Sequence, residues 1–468
     1  MPHSPALSPV TSLFEAQDSS RWSLGASGAE ARRIRLGRLR AGLLARESEL
    51  LSALHADLGK APREGTLTEL HPVLAEIAHA LRHLPGWMAP RRVGTPLSLL
   101  GTRSWIRPEP KGRVLIMAPW NYPALLTLAP LVSAVAAGNA VILKPSEKAP
   151  ATEAFLGSLI ADCFPPEEVA VVVGGPEVAQ ELLNLPFDHI FFTGSSRVGR
   201  LVMSAAARHL SSVTLELGGK SPALLTEGAD LACAARRIAW GKWLNAGQTC
   251  VAPDYVLVPE NLEVRFLEEL ERAVENLYGA DPLGNPDYGR IIDGAAFQRL
   301  GVLLRSCTGQ VAFGGGQDEA SRKMAPTVLR GLGPEDPLLQ EEIFGPLLPV
   351  LAYRTREEAL GWMRRLGDPL ASYLFTGGRK EAKAWIRDTR AGGTVLGHAV
   401  IHLGNPELPF GGRGSSGFGG CHGRHGFGTF SHERAVLASG WLDTVAWTFP
   451  PYGGRFQDLV FRFLRWTV

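Results

Sequence analysis

Apolar and polar positions along this chain change rhythm twice. Between residues 28 and 82, Leu and Ala recur at three-to-four spacing among Glu30, Glu47, Glu49 and many arginines. That spacing predicts amphipathic helices, interrupted at Pro62. From about 112 the pattern becomes short continuous apolar runs: Val114–Ala118, Val141–Lys144, Val169–Val173, His189–Thr193 and Val213–Glu216, with helix-like stretches between them. Continuous apolar runs suit strands covered on both faces, so βα repeats and a parallel, doubly wound sheet are predicted. The rhythm then repeats as Tyr255–Val258, a helix across 260–277, Val311–Phe313, Leu347–Leu351, a helix at 355–366 and Tyr373–Phe375. This predicts a second α/β unit, with an active site between the two. Past 403 the chain turns Gly-rich, then aromatic and basic.

Length and composition fit that division. A chain of 468 residues exceeds the size at which one core keeps growing. With 45% hydrophobic and 20% charged residues it reads as an ordinary globular protein. A net charge of +2 argues against nucleic acid as a partner. The basic stretch Arg32–Arg40 interleaves with apolar residues and reads as a solvated helix face. Cys163, Cys233, Cys250, Cys307 and Cys421 lack paired spacing, against a disulfide scaffold and for a reducing compartment. The opening Met1–Pro5 has no signal-peptide pattern, and no apolar run reaches the roughly eighteen residues a bilayer requires. A cytoplasmic enzyme is the expectation.

Doubly wound sheets carry their ligand loops at the carboxyl ends of the strands. Here those ends read Trp120-Asn121, Lys144-Pro145-Ser146-Glu147, Gly174-Gly175, Thr193-Gly194-Ser195 and Glu216. Gly194 to Gly199 opens a helix, as a simple turn or as the approach of a dinucleotide to a helix N-terminus. Gly412 to Gly417 matches G-x-G-x-x-G, but no helix pattern follows, so it reads as a flexible loop. Lys144 and Glu147 offer a cation and a carboxylate for ribose hydroxyls, or a surface ion pair. Asn121 offers an amide for a developing oxyanion, or ordinary turn chemistry. Cys250, alone, reads as a small buried hydrophobe; with Glu216 it supplies the nucleophile and base for attack on a carbonyl. His422, His425 and His432 beside Cys421 lack a second ligand pair at fitting spacing, so no metal is assigned.

Together these phrases resemble the aldehyde dehydrogenase superfamily over about residues 30 to 450. The stretches that carry it are Ala118–Pro123, Leu143–Glu147, Phe192–Ser195, Leu215–Lys220, Asn245–Cys250, Glu341–Pro346 and Leu408–Gly412. The chain is similar to the shorter, dimeric class of fatty, aromatic and medium-chain aldehyde dehydrogenases through Pro119–Pro123 and Thr429–His432. The resemblance implies a Rossmann-type cofactor domain, a second α/β catalytic domain and a small oligomerisation arm. It implies that Cys250 attacks the aldehyde, that Asn121 with the Cys250 backbone N–H holds the oxyanion, and that Glu216 activates the hydrolytic water. It implies NAD or NADP as cofactor, with Lys144 and Glu147 at the adenine ribose, Gly194, Ser195 and Gly199 at the pyrophosphate, and Glu342 and Phe344 at the nicotinamide. Trp120, Leu217 and Gly218 are expected to line that cofactor site.

The expected division is 1–216 for cofactor binding, with about 86–108 in the oligomerisation element. Residues 217–404 form the catalytic unit, and 405–468 the C-terminal loop, arm and tail. The amphipathic tail Phe456–Trp466 is expected to pack in a homodimer, with membrane-surface contact as the alternative. Gly397-His398-Ala399-Val400-Ile401-His402 stands where the class usually carries an asparagine, and that loop is expected near the substrate mouth. Two rivals remain: a coenzyme A-acylating or reductive relative, which tends to lack the base found here as Glu216, and an inactive binding protein. The latter would be expected to have lost Cys250, Asn121 or Glu216.

Overall fold

All five predicted apolar runs form strands in the computed structural model, which describes residues 8–440 and 442–466. Met1–Pro5 lie outside the described residues. The strands Arg113–Met117, Ala140–Lys144, Val169–Val171, His189–Gly194 and Ser212–Leu217 are parallel, with Arg113–Met117 in the centre. Alternate side chains divide between two cores. Val114, Ile116, Val141 and Leu143 enter one, and Leu115, Ile142 and Ile190 the other. Helices cover both faces, which is why the runs are apolar at every position rather than at every second one.

The chain steps outward from Arg113–Met117 to Val169–Val171, then returns to its other side as His189–Gly194. The crevice between the ends of Met117 and Gly194 is therefore the topological switch point, the expected place for a ligand. A second, seven-stranded sheet contains Pro222–Leu225, Tyr255–Pro259, Thr327–Arg330, Leu347–Tyr353, Ala371–Phe375 and Gly393–Leu396, with Gln310–Phe313 antiparallel at its edge. A third, three-stranded antiparallel sheet joins Arg91–Val93, Thr102–Pro110 and Ser431–Ser439.

Several expectations change. A helix at Pro9–Ala26 precedes the predicted start at 28, and buries only Val10, Phe14, Gln17 and Leu24. Gln17 donates to the carbonyl oxygens of Val141 (3.1 Å) and Pro166 (3.2 Å), fastening this helix to the central sheet. The helix predicted to stop at 82 runs through Pro85 to Met88. Gly412–Gly417 is not a flexible loop. It makes a short turn, Gly414–Ser416, and then the strand Gly417–Phe418, antiparallel to Ser212–Leu217 with Gly417 opposite Glu216. Gly417 has φ +118°, and a Cβ there would sit 2.0 Å from the Leu215 carbonyl oxygen, so only glycine permits this pairing. The tail forms the helix Arg455–Trp466, whose Phe456, Leu459, Phe463 and Trp466 are exposed. No helix among the described residues is long and apolar enough to cross a membrane.

Candidate active site

Cys250 follows the helix Leu231–Trp243 through three consecutive residues with positive φ: Asn245 (52°), Ala246 (53°) and Gly247 (79°). Non-glycine residues held there cost about 1–3 kcal/mol each, and persist only where their surroundings dictate them. The surroundings do so here. Asn245 Nδ2 donates to the Asn121 carbonyl (2.8 Å), and its backbone N–H donates to Glu64 Oε1 (2.9 Å). Gln248 Nε2 donates to the carbonyls of Asn245 and Arg290 (3.0 Å each), while its Oε1 accepts from Ile292 N–H (3.0 Å). A Cβ on Gly247 would lie 2.2 Å from the Gly345 carbonyl oxygen, so this turn seats directly on the Glu341–Pro346 stretch.

A buried ion pair supports the opposite side. Lys60 Nζ donates to Glu69 Oε1 (2.7 Å) and to the Asn121 carbonyl (3.4 Å), and lies 4.2 Å from the Tyr122 ring centroid. Glu69 Oε2 accepts the N–H groups of Ala124 (3.1 Å) and Leu125 (2.9 Å), where the helix Leu125–Ala137 begins. Tyr122 Oη bonds Thr249 Oγ1 at 2.6 Å. These contacts fix Asn121 and Cys250 relative to one another. Asn121 Nδ2 gives one hydrogen to the Gln248 carbonyl (3.0 Å) and keeps its second.

Burial raises Glu64 to about 7, opposed by Lys60 and the Asn245 N–H. Glu64→Ala strands that N–H and is expected to lower the unfolding free energy by about 1–3 kcal/mol. Glu64→Gln keeps an acceptor and should cost less. A carboxyl raised in the fold contributes its stability below the unfolded value of about 4.3 and loses it as pH rises through the folded value. The Gln variant should therefore gain on the parent chain between roughly pH 4 and pH 8, measured by urea unfolding across that range. An Ala variant as stable as the parent would show that the turn does not depend on Glu64.

Glu216 and Cys250 line one cavity of about 350 Å³ with mostly apolar walls, among them Leu125, Ala129, Trp240 and Leu403. Glu216 is 3% exposed, and among the described residues neither of its carboxylate oxygens has a hydrogen-bond partner. Burial holds its carboxyl well above the usual carboxylate range. Burial also pushes the Cys250 thiol up, with the charges of Glu342 and Glu216 adding to it, while the N–H groups of Cys250 and Val251 pull it down. The carboxylate and the thiol thus sense one another across the cavity.

The cofactor-side residues lie around the switch point. Lys144 Nζ and Glu147 Oε2 pair at 3.2 Å at a strand end. Ser195 caps the helix Ser196–Ala207, its Oγ accepting from Val198 N–H (3.4 Å). A paired cation and carboxylate beside a helix N-terminus is a donor set that fits ribose hydroxyls and a pyrophosphate. At Gly199 a Cβ would meet Leu217 Cδ2 at 2.9 Å, so glycine there lets the helix pack closely on the strand. Glu342 folds back over Gly218, where a Cβ would overlap its carboxylate, and accepts the Gly219 N–H. Burial, with Asp254 adding, raises Glu342 to about 8. Lys220 pairs with Asp254 and donates to the carbonyls of Leu338 (2.8 Å) and Glu341 (2.9 Å), anchoring this loop. Trp120 meets Phe344 edge-to-face at 5.3 Å, and Phe344 has φ 51°.

The loop 397–402 reaches the cavity, as expected, through Val400 and Ile401, which line it with Leu403, Gly404 and Pro406, while His398 packs behind Trp240 at 5.8 Å. Lys60, Glu64, Glu69 and the cavity-lining Glu76 are site groups that sequence patterns do not single out, while Cys421 and His422, weighed above only for a metal, also line the cavity. In the sequence they sit among ordinary charges and turns.

A sequence profile of the aldehyde dehydrogenase family matches residues 12–436. The chain is 41% identical over 426 residues to the 4,4'-diaponeurosporen-aldehyde dehydrogenase of Staphylococcus aureus, covering 91% of this chain and 93% of that one. It is 44% identical over 394 residues to the dimeric NADP-preferring aldehyde dehydrogenase of Rattus norvegicus, covering 84% and 86%. A solved structure, the substrate-bound state of Staphylococcus aureus AldH, superposes with a TM-score of 0.94 at 39% identity, covering 98% of this chain and all of that one. A doubly wound sheet with a thiol and a carboxylate in one cavity beside a dinucleotide cradle defines an oxidoreductase acting on a carbonyl. The chain belongs to the aldehyde dehydrogenase family, whose members oxidise aldehydes to carboxylic acids with NAD or NADP.

Proposed function

We propose that this chain oxidises apolar aldehydes through a covalent thioester on Cys250, hydrolysed by water that Glu216 activates. The carrying observation is that a nucleophile and a carboxylate without partners share one apolar cavity. The thiol gives up its proton to solvent water and Sγ bonds the aldehyde carbon, giving a thiohemiacetal. The carbonyl oxygen, now an anion, is held by the Cys250 N–H and the free Asn121 Nδ2 hydrogen. NAD(P)+, when bound, would supply the acceptor for the hydride that leaves this carbon as the C–H bond breaks, which leaves the thioester. Glu216 then takes a proton from water, hydroxide adds to the thioester carbon, and Cys250 leaves as thiolate, giving the acid.

Lys144, Glu147 and Ser195 would bind the dinucleotide, with Gly194 and Gly218 allowing its approach, and Trp120, Glu342 and Phe344 would orient the nicotinamide end. Acid formation stoichiometric with reduced cofactor, without coenzyme A, tests this reading. Product that requires coenzyme A would replace it with an acylating one. The apolar walls predict chain-length selectivity: at about 0.8 kcal/mol per buried CH₂, kcat/KM should rise roughly fourfold per methylene until the cavity fills. Rates over a series of linear aldehydes measure this, and a flat series would contradict it.

The proposal extends to assembly and place. Residues 1–216 would bind cofactor, 217–404 would carry the catalytic loop, and 405–468, with 86–108, would form the arm. Leu217 ends the last parallel strand of the first sheet and Pro222 begins the second sheet, which supports that boundary. A homodimer covering the Arg455–Trp466 helix is supported by that helix's exposed apolar face and by the dimeric relative. Five free cysteines support a reducing compartment such as the cytoplasm.

A further inference from the structure

We propose that His79, His83 and Glu407 bind one divalent cation of borderline softness, with Zn²⁺ as the probe, at the seam between the helix His71–Met88 and segment 401–410. His79 and His83 stand one helical turn apart, on the same face, with rings stacked at 4.3 Å and 22°. Glu407 reaches them from the segment opposite, its Oε1 3.4 Å from His79 Nε2. One ligand atom from each residue lies within 4.8 Å of the other two.

Two imidazoles and one carboxylate, with water completing a tetrahedron, are a donor set that suits Zn²⁺, Ni²⁺ or Co²⁺. Tetrahedral ligation at about 2.0–2.1 Å would bring the three atoms to roughly 3.3 Å from one another. The 67%-exposed Glu407 side chain is free to make that adjustment.

The surroundings hold the imidazoles in place without using their nitrogens. Trp87 packs on both rings, at 5.5 and 6.1 Å. Gly423 crowds His79 so closely that a Cβ there would lie 3.1 Å from Nε2. Among the described residues His79 makes no hydrogen bond besides its contact with Glu407, and His83 makes only ring contacts.

The position gives the site a consequence for the reaction proposed above. Segment 401–410 supplies Ile401, Leu403 and Pro406 to the cavity wall, and the helix supplies Pro72 and Ala75. A cation shared between His79, His83 and Glu407 ties these two walls together at the mouth. His79, His83 and Glu407 do not themselves line the cavity of Cys250 and Glu216, so the site stands or falls separately from the roles of those two.

The test is equilibrium competition of the full chain against a chromophoric chelator for Zn²⁺, beside His83→Ala and Glu407→Gln. Cysteine uptake is common to all three and cancels. The parent chain should hold one more equivalent than either variant at micromolar free Zn²⁺, with affinity at least tenfold higher. Amide exchange across 401–410 should slow on adding Zn²⁺ to the parent chain alone. The Gln variant keeps the shape of Glu407, so loss of binding in both variants cannot be put down to misfolding of one. Equal uptake by all three chains, or uptake with no slowing across 401–410, would overturn the proposal.

Discussion

Replacing Cys250 by alanine is expected to lower turnover by roughly four orders of magnitude or more, while leaving cofactor binding and stability nearly intact. The reason for the split is structural. Asn245, Gln248 and Thr249 hold the nucleophile's turn through their own hydrogen bonds, and the Cys250 Sγ bonds no other side chain. The variant removes the nucleophile and leaves the turn in place. Steady-state formation of reduced cofactor measures the first effect, and fluorescence titration with NAD and NADP the second. A variant retaining a tenth of parental activity would remove Cys250 from the proposed role.

Glu216→Gln should separate attack from hydrolysis. Attack needs only the thiol and the oxyanion donors, so the first turnover should yield reduced cofactor at about one equivalent per site. Acid release should then fall by about 10²–10⁴-fold, the range for loss of a positioned base. The parent enzyme adds a pH signature. Burial holds the Glu216 carboxyl above the usual carboxylate range, and a base works only when deprotonated. Acid release should therefore rise with pH as Glu216 ionises, and the Gln variant should lose that rise. Stopped-flow traces over a pH series measure both. Unchanged steady-state turnover in the variant would contradict the assignment.

The parts of this molecule legible in its sequence are those where one physical demand dominates. Strands buried on both faces must be apolar throughout, and Val114, Ile142 and Ile190 reveal them. Glycine where packing leaves no room for a Cβ is equally plain at Gly218 and Gly247, though its reason emerges only when the Glu342 carboxylate and the Gly345 backbone are seen against it. Strands of four residues, such as Pro222–Leu225 and Thr327–Arg330, are too short to announce a period. The helix Pro9–Ala26 buries so few side chains that its pattern stays polar. Lys60, Glu64 and Glu69 look like solvated helix charges, because only tertiary packing puts them beneath Asn121 and Asn245. Gly412–Gly417 misleads in the other direction, since the pairing of Gly417 with the strand of Glu216 is long-range. His422, His425 and His432 are close in sequence near the C-terminus, whereas the proposed ligand set joins residues 79 and 83 to 407 across the fold.

The most direct measurement is the intact and peptide mass of the Glu216→Gln enzyme, quenched in acid after one turnover with aldehyde and oxidised cofactor. The chemistry proposed here predicts one acyl group per site, on the peptide that contains Cys250, and none when the cofactor is omitted. Cys421 lines the same cavity and is the internal control. Aldehyde oxidised with no acyl adduct, or an adduct on Cys421 in place of Cys250, would contradict it.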